Sequence, residues 1–187
     1  TAKLIKEGKK PNPEIMVPLI SNVNEFNHQK KIAKKIAKKI EKKYKIKIKY
    51  KLGTMIELPR ACLTANTIAK EVDFFSFGTN DLTQTTFGFS RDDIGSFIQD
   101  YFDNNILHKD PFKTIDINGV GQLVKIATYK GRKENKKLKI GVCGEHGGDP
   151  KSIYFFDNLG LDYVSCSPYR IPIARLSAAK NVIRNSM

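Results

Sequence analysis

Two acidic side chains stand at the ends of neighbouring apolar runs in this chain of 187 residues. Glu57 is the only charged residue of segment 54–58, and Asp81 follows the run 73–78. Because adjacent parallel strands lie about 4.8 Å apart, carboxylates at their equivalent ends can share one cation. Two carboxylates that leave positions open for water and substrate oxygens suit Mg²⁺. The alternative, in which each carboxylate caps a helix or pairs with a lysine, stays open on the sequence alone.

A cysteine occupies a third position of this kind. Cys143 lies where an apolar run passes into the glycine-rich segment 144–149, and glycine lets the backbone approach a ligand closely. A thiol can be tuned for proton transfer near neutral pH, so Cys143 is a candidate acid and base. The alternative is an inert, buried side chain, which is what we expect of Cys166. Cys62 is expected to be a helix residue with no chemistry. Three cysteines are too few for a disulfide framework and indicate a reducing compartment, the cytoplasm or an organelle.

The histidines and short glycine motifs give weaker signals. No Cys/His spacing typical of a zinc site occurs, and no phosphate-binding loop of the GxxxxGK[ST] type. Gly119 and Gly121 lack the third glycine of a dinucleotide fingerprint. His146 either supports the neighbouring Cys143 loop or makes an ordinary loop hydrogen bond, while His28 and His108 are surface or core residues.

The elements that must position these groups alternate between strand-like runs and helical patterns. The pattern predicts strands within residues 14–20, 53–57, 73–78, 139–145 and 162–168. Helices are expected over 32–44, 59–70, 117–129, from 150 onward and over 173–183, and 79–115 is expected to be a polar connection. Such alternation predicts an α/β fold with a parallel sheet, and the continuous apolar runs indicate strands buried on both faces.

An open doubly wound sheet and a (β/α)₈ TIM barrel both fit this pattern. The barrel is favoured because polar residues follow successive strands, where barrels assemble their chemistry. These residues are Glu57, Asn80 with Asp81, Cys143 with Glu145, and Ser165 with Ser167. Five units are too few to close a barrel, and the chain does not begin with Met. We therefore expect residues 1–187 to be the C-terminal portion of such a barrel, with about three strands upstream.

The net charge of +14 comes from one segment. Residues 30–51 carry twelve lysines and one acid, a local charge of +11, which leaves +3 for the remaining residues. Ile32, Ile36 and Ile40 recur at helical spacing between the lysines, which predicts an amphipathic helix with a solvated basic face. A basic nucleic-acid-binding module is the alternative, although the segment shows none of the usual recognition patterns. No apolar run reaches the roughly 18 residues of a membrane span.

Several long motifs resemble those of the phosphoenolpyruvate-utilising enzymes. These are GTMIELPRA at 53–61, FFSFGTNDLTQ at 74–84 and GVCGE at 141–145. Further stretches at 86–93, 144–150 and 162–176 are similar to the dikinase branch of the family, so the resemblance covers essentially the whole chain.

The resemblance implies a TIM-barrel domain that binds pyruvate or phosphoenolpyruvate with Mg²⁺. In full-length dikinases, a phosphohistidine on another domain of the polypeptide links this site to ATP. ATP, phosphate and pyruvate become AMP, diphosphate and phosphoenolpyruvate. The resemblance also implies that the full enzyme is a cytoplasmic homodimer and that this segment alone is inactive. No membrane and no nucleic-acid partner are expected. Phosphoenolpyruvate synthase and Enzyme I of the sugar phosphotransferase system are the alternatives within the family.

Individual roles also follow from the resemblance. Glu57 and Asp81 match the Mg²⁺ ligands and also contact the substrate. Gly78, Thr79 and Asn80 match further substrate contacts, and Cys143 matches the acid/base that exchanges a proton with the substrate carbon. The carrier histidine, the nucleotide domain and the phosphoryl-clamping arginines of the family have no counterpart in this sequence.

Overall fold

Five parallel strands form the sheet in the computed structural model, which describes residues 1–186. They are β1 (Glu14–Val17), β2 (Lys51–Ile56), β3 (Phe74–Gly78), β4 (Lys139–Cys143) and β5 (Tyr163–Val164). Each lies within or within two residues of an apolar run identified in the sequence.

The strand order decides between the two sheet types that the sequence allows. The strands lie side by side in chain order, from β1 to β5, and each neighbouring pair is parallel. A doubly wound sheet reverses its order at a switch point, whereas consecutive order is the winding of a TIM barrel. The predicted α/β fold of partial barrel type is confirmed, with β1 and β5 as the open edges in the described residues.

Nine helices and three 3₁₀ turns connect and flank the strands of residues 1–186. The helices are α1 (Ala2–Lys6), α2 (Val23–Tyr44), α3 (Pro59–Leu63), α4 (Ala65–Ala69), α5 (Thr79–Phe87), α6 (Ile98–Asp103), α7 (Val120–Glu134), α8 (Pro150–Asn158) and α9 (Ile171–Ser186). The 3₁₀ turns are Ile94–Ser96, Glu145–Gly148 and Pro168–Arg170. Two expectations were wrong: the helix over 59–70 is interrupted at Thr64, and the polar stretch 79–115 contains α5 and α6.

The lysine-rich helix α2 begins nine residues before the predicted start. The Asn22 side chain accepts hydrogen bonds from the backbone N–H groups of Asn24 and Glu25, and the Glu25 carboxylate accepts from the Asn22 N–H. This capping box satisfies N–H groups that the first turn leaves without partners. The lysines face solvent, as the sequence predicts. The expected burial of the apolar stripe was wrong in part, because Ile32 is 43% and Ile36 56% exposed, and the fully buried residue of this helix is Phe26, before the predicted start.

The register between strands sets the level of the candidate site. Ile56 pairs with Phe77, and Gly78 pairs with Cys143. Glu57, one residue beyond Ile56, therefore lies at the carboxyl end of the sheet, level with Gly78 and Cys143. All five residues of β3 are buried, so the carboxyl end of the sheet is supported by a closely packed, rigid core. None of the helices in residues 1–186 is long and apolar enough to cross a membrane.

Candidate active site

Glu57 is a buried carboxylate held by the backbone of another loop. Its side chain is 2% exposed, and its Oε1 accepts a hydrogen bond of 2.7 Å from the N–H of Leu19, in the loop after β1. Leu19 has a φ of 52°, a left-handed conformation that is unfavourable for a leucine. A Cβ placed on Gly78 would overlap Glu57 Oε2, so glycine there leaves room for the carboxylate.

A second carboxylate, that of Asp81, lies close enough to Glu57 to raise its pKa. The pKa of Glu57 is raised from 4.5 to about 7: burial contributes most, the hydrogen bond from Leu19 opposes the rise, and the charge and hydrogen bond of Asp81 add to it. Asp81 is half-buried in the first turn of α5. Two carboxylates facing each other away from bulk water are unfavourable unless a proton or a cation lies between them.

The donor set of this site fits Mg²⁺. Within residues 1–186, no cluster of three or more His, Cys, Asp or Glu side chains is arranged to hold a metal, so the protein offers the pair Glu57 and Asp81. Mg²⁺ usually keeps several waters and takes one or two carboxylates together with substrate oxygens. The Glu57 carboxylate also occupies the space that a side chain at position 78 would need, because a Cβ on Gly78 would overlap Glu57 Oε2.

Cys143 belongs to the same cluster. Its Sγ is half-buried and lies 3.6 Å from the carbonyl oxygen of Phe77. Burial raises the pKa of the thiol, a hydrogen bond with Ser76 lowers it, and the charges of Glu57 and Asp81 raise it. The group is therefore a thiol at neutral pH, next to the carboxylate pair.

The first turn of α5 is fastened to the loop that follows Cys143. Thr79 is buried, and its Oγ1 lies 3.1 Å from the carbonyl oxygen of Cys143. Asn80 Oδ1 accepts a hydrogen bond of 3.3 Å from the N–H of Glu145. Gly144, between Cys143 and Glu145, has a φ of 107°, a conformation that favours glycine. The five predicted positions from Glu57 to Asp81 thus lie at one sheet edge with Cys143.

Other sequence-predicted positions stand apart from this cluster. Glu145, Ser165 and Ser167 follow their strands but are exposed. Cys166 is half-buried, so its assignment to the core was wrong, because β5 is an edge strand. Cys62 is fully buried in α3, where burial raises its pKa to about 12, as expected of an inert thiol.

The sequence did not identify Leu19 as a participant, and it left the role of His146 open between support of the Cys143 loop and an ordinary loop hydrogen bond. Leu19 acts through its backbone N–H, which every residue except proline has, so no side-chain pattern marks it. His146 stood in a recognised motif, but only the fold shows that it is fully buried against Thr79.

Comparisons with known proteins identify the family of this chain. The family model described as "PEP-utilising enzyme, PEP-binding domain" matches residues 2–183. The chain is 56% identical over 180 residues to the chloroplastic pyruvate, phosphate dikinase of Flaveria trinervia, covering 96% of this chain and 19% of that protein. It is 56% identical over 182 residues to the chloroplastic pyruvate, phosphate dikinase 1 of Arabidopsis thaliana, covering 97% and 19%. Against pyruvate, phosphate dikinase 2 of Zea mays the identity is 54% over 180 residues, covering 96% and 20%.

The chain spans about a fifth of the length of these relatives. The similarity is therefore to one domain of a longer enzyme, and it includes every position of the carboxylate and cysteine cluster.

Proposed function

The chain belongs to the family of phosphoenolpyruvate-utilising enzymes, and on that premise we propose that it is part of the pyruvate-binding barrel of a pyruvate, phosphate dikinase. One observation carries the proposal: the register of β2, β3 and β4 brings Glu57, Asp81 and Cys143 together at the carboxyl ends of three neighbouring strands. The full-length enzyme converts ATP, phosphate and pyruvate into AMP, diphosphate and phosphoenolpyruvate through a phosphohistidine on another domain.

In this proposal the carboxylate pair holds the substrate end of the site. Glu57 and Asp81 would hold Mg²⁺, which would supply Lewis-acid stabilisation of the negative charge that develops on pyruvate. The Leu19 N–H fixes one oxygen of Glu57 and leaves the other for the cation. Gly78, Thr79 and Asn80 form the adjoining wall and contact the substrate.

Cys143 moves the proton between sulfur and carbon. As a thiolate it removes a proton from the methyl group of pyruvate, and the resulting enolate oxygen takes the phosphoryl group from the phosphohistidine. In the reverse direction the thiol returns a proton to the methylene carbon of phosphoenolpyruvate. A raised thiol pKa suits the second role at neutral pH, because the proton donor is then the dominant form.

The decisive experiment separates the two half-reactions of the full-length protein. Cys143→Ala is expected to abolish formation of phosphoenolpyruvate from pyruvate, while phosphoryl transfer from ATP to the carrier histidine continues. Normal overall turnover in Cys143→Ala would refute the acid/base role. Glu57→Gln and Asp81→Asn are expected to weaken Mg²⁺-dependent oxalate binding at least tenfold, and unchanged binding in both would refute the metal site.

Simple assays distinguish the related reactions. A dikinase forms AMP only when phosphate is present, whereas a synthase forms AMP without it, and an Enzyme I transfers its phosphoryl group to a second protein.

The names of the Flaveria and Arabidopsis relatives place those proteins in chloroplasts. For this chain, a location in the cytoplasm or in an organelle is a prediction. The homodimer and the absence of a nucleic-acid partner are predictions as well.

A further inference from the structure

His146 is a fully buried histidine with both ring nitrogens engaged. Its Nδ1 lies 2.7 Å from Thr79 Oγ1, and its Nε2 lies 2.8 Å from the carbonyl oxygen of Pro111. It therefore joins three segments: the first turn of α5, the 3₁₀ turn after Cys143, and the connection that precedes α7.

The partners determine which nitrogen carries the proton. A carbonyl oxygen only accepts, so Nε2 must donate to Pro111. Burial lowers the pKa of His146, although the nearby charges of Asp149, Glu145 and Asp110 raise it, so the ring is neutral at pH 7. Nδ1 is then an acceptor for the Thr79 hydroxyl at 2.7 Å, and the same hydroxyl lies 3.1 Å from the Cys143 carbonyl oxygen.

The turn that carries His146 has little freedom to move. A Cβ on Gly147 would overlap the carbonyl oxygen of Ser165, and a Cβ on Gly148 would lie 3.0 Å from Arg170. The backbone is thus packed against the segment after β5, and the imidazole ring transmits that fixed position to Thr79.

We propose that His146 is a positioning residue for proton transfer at carbon, because it holds Thr79 and the first turn of α5 at a fixed distance from Cys143. The inference rests on the proposed function, in which Cys143 and the residues of that turn act on the same substrate. A displacement of about 1 Å at a reacting centre can cost on the order of a hundredfold in rate. His146 itself touches no substrate in this account.

Two substitutions of His146 separate its two bonds. His146→Asn keeps an acceptor near the position of Nδ1 and gives up the bond to Pro111. His146→Gln keeps a donor near the position of Nε2 and gives up the bond to Thr79. Each loses one buried hydrogen bond, so a purely structural role predicts similar effects, whereas positioning predicts that only His146→Gln impairs chemistry.

Kinetics of the full-length protein give the first measurement. For His146→Gln we expect kcat and exchange of the pyruvate methyl protons to fall ten- to hundredfold, with the KM for pyruvate and the affinity for Mg²⁺-oxalate within threefold of wild type. His146→Asn should retain at least a third of wild-type kcat. Equal losses in the two variants, or a change in KM alone, would overturn the proposal.

Alkylation of Cys143 by iodoacetamide gives a measurement that does not need the reaction. In a Cys166→Ser background, His146→Gln should speed alkylation of Cys143 severalfold because the loop is released, and His146→Asn should not. If the wild type exchanges no methyl protons, the proposed function fails, while the alkylation rates still decide the positioning role. If His146→Gln does not fold, Thr79→Val breaks the same bond from the other side, and alkylation as slow as in wild type would refute the inference.

Discussion

At the scale of single residues, the buried carboxylate of Glu57 is the least favourable group of the metal-free site. Its pKa is raised from 4.5 to about 7, so the folded state resists ionisation and loses stability as the pH rises through that interval. Glu57→Gln keeps the acceptor for Leu19 and cannot ionise. At pH 8 without Mg²⁺ we expect the variant of the full-length protein to be more stable by on the order of 1–3 kcal/mol in thermal unfolding.

Mg²⁺ should reverse that ranking. Excess Mg²⁺ binds the folded wild type and raises its Tm, whereas Glu57→Gln should gain little. Glu145→Gln is the matched control, because that carboxylate follows β4 but is exposed, and its Tm should respond to Mg²⁺ like wild type. A Glu57→Gln protein that is less stable than wild type at pH 8 without Mg²⁺ would contradict the burial argument.

The thiol of Cys143 predicts a pH dependence of its own. Because its pKa lies above the ordinary value of 9.0, the thiolate is scarce at pH 7 and grows about tenfold per pH unit. Exchange of the pyruvate methyl protons, measured by NMR in deuterated buffer, should therefore rise steeply between pH 7 and 9. Cys166→Ala should keep this profile, and Cys143→Ala should lose it. A flat profile in wild type would exclude Cys143 as the base.

What the sequence could predict at this scale depends on how a residue acts. In the proposed site Glu57, Asp81 and Cys143 act through their side chains, so residue type and position at a strand end made them candidates, and the family resemblance assigned their roles. Leu19 acts through a backbone N–H, whose direction is fixed by a left-handed conformation that only the fold reveals. His146 depends on burial against Thr79, a contact across 67 positions of the chain.

At the scale of elements, the sequence predicts strands better than the helices of the active-site edge. α5 contains four threonines among nine residues, and threonine is a poor helix former, so its segment was interpreted as a polar connection. The helix forms because its own residues Leu82 and Thr83 are buried in the core, and this tertiary packing outweighs the low helix propensity of the threonines. By contrast, α8 was predicted from Asp149 and Pro150, and the Asp149 side chain does accept from the N–H of Ser152.

The basic helix α2 should be neutral for catalysis. Lys34, Lys35, Lys38 and Lys39 are exposed, so replacing all four with glutamine should leave kcat/KM within twofold and the Tm nearly unchanged. Lys30→Gln is the contrasting variant on the same helix, because Lys30 Nζ donates to the Glu71 carbonyl at 2.7 Å and its carboxylate at 2.9 Å. We expect that change to cost about 1 kcal/mol in thermal unfolding. Salt-sensitive DNA binding that disappears in the fourfold variant would instead support the nucleic-acid alternative.

At the scale of the whole molecule, the sheet of residues 1–186 has two open edges, and apolar side chains are exposed near both. On the β1 side, Ile15 is 44% and Leu19 59% exposed; near β5, Tyr169 is 93% and Leu176 57% exposed. Unpaired edges with apolar neighbours favour pairing with another chain. The candidate catalytic cluster is built on β2, β3 and β4, the three inner strands, and not on the open edge strands β1 and β5.

Residues 1–187 expressed alone are therefore expected to self-associate. Sedimentation velocity over a concentration series should show species larger than the 21.1 kDa monomer. Ile15→Lys places a charge on the β1 edge and should weaken association at least tenfold. Ile32→Lys is the matched control, because Ile32 is 43% exposed, close to the 44% of Ile15, but belongs to helix α2 and not to a strand. If both variants weakened association equally, general charge repulsion and not edge pairing would be the cause, and a monomeric wild type at high concentration would show that the edges do not drive association.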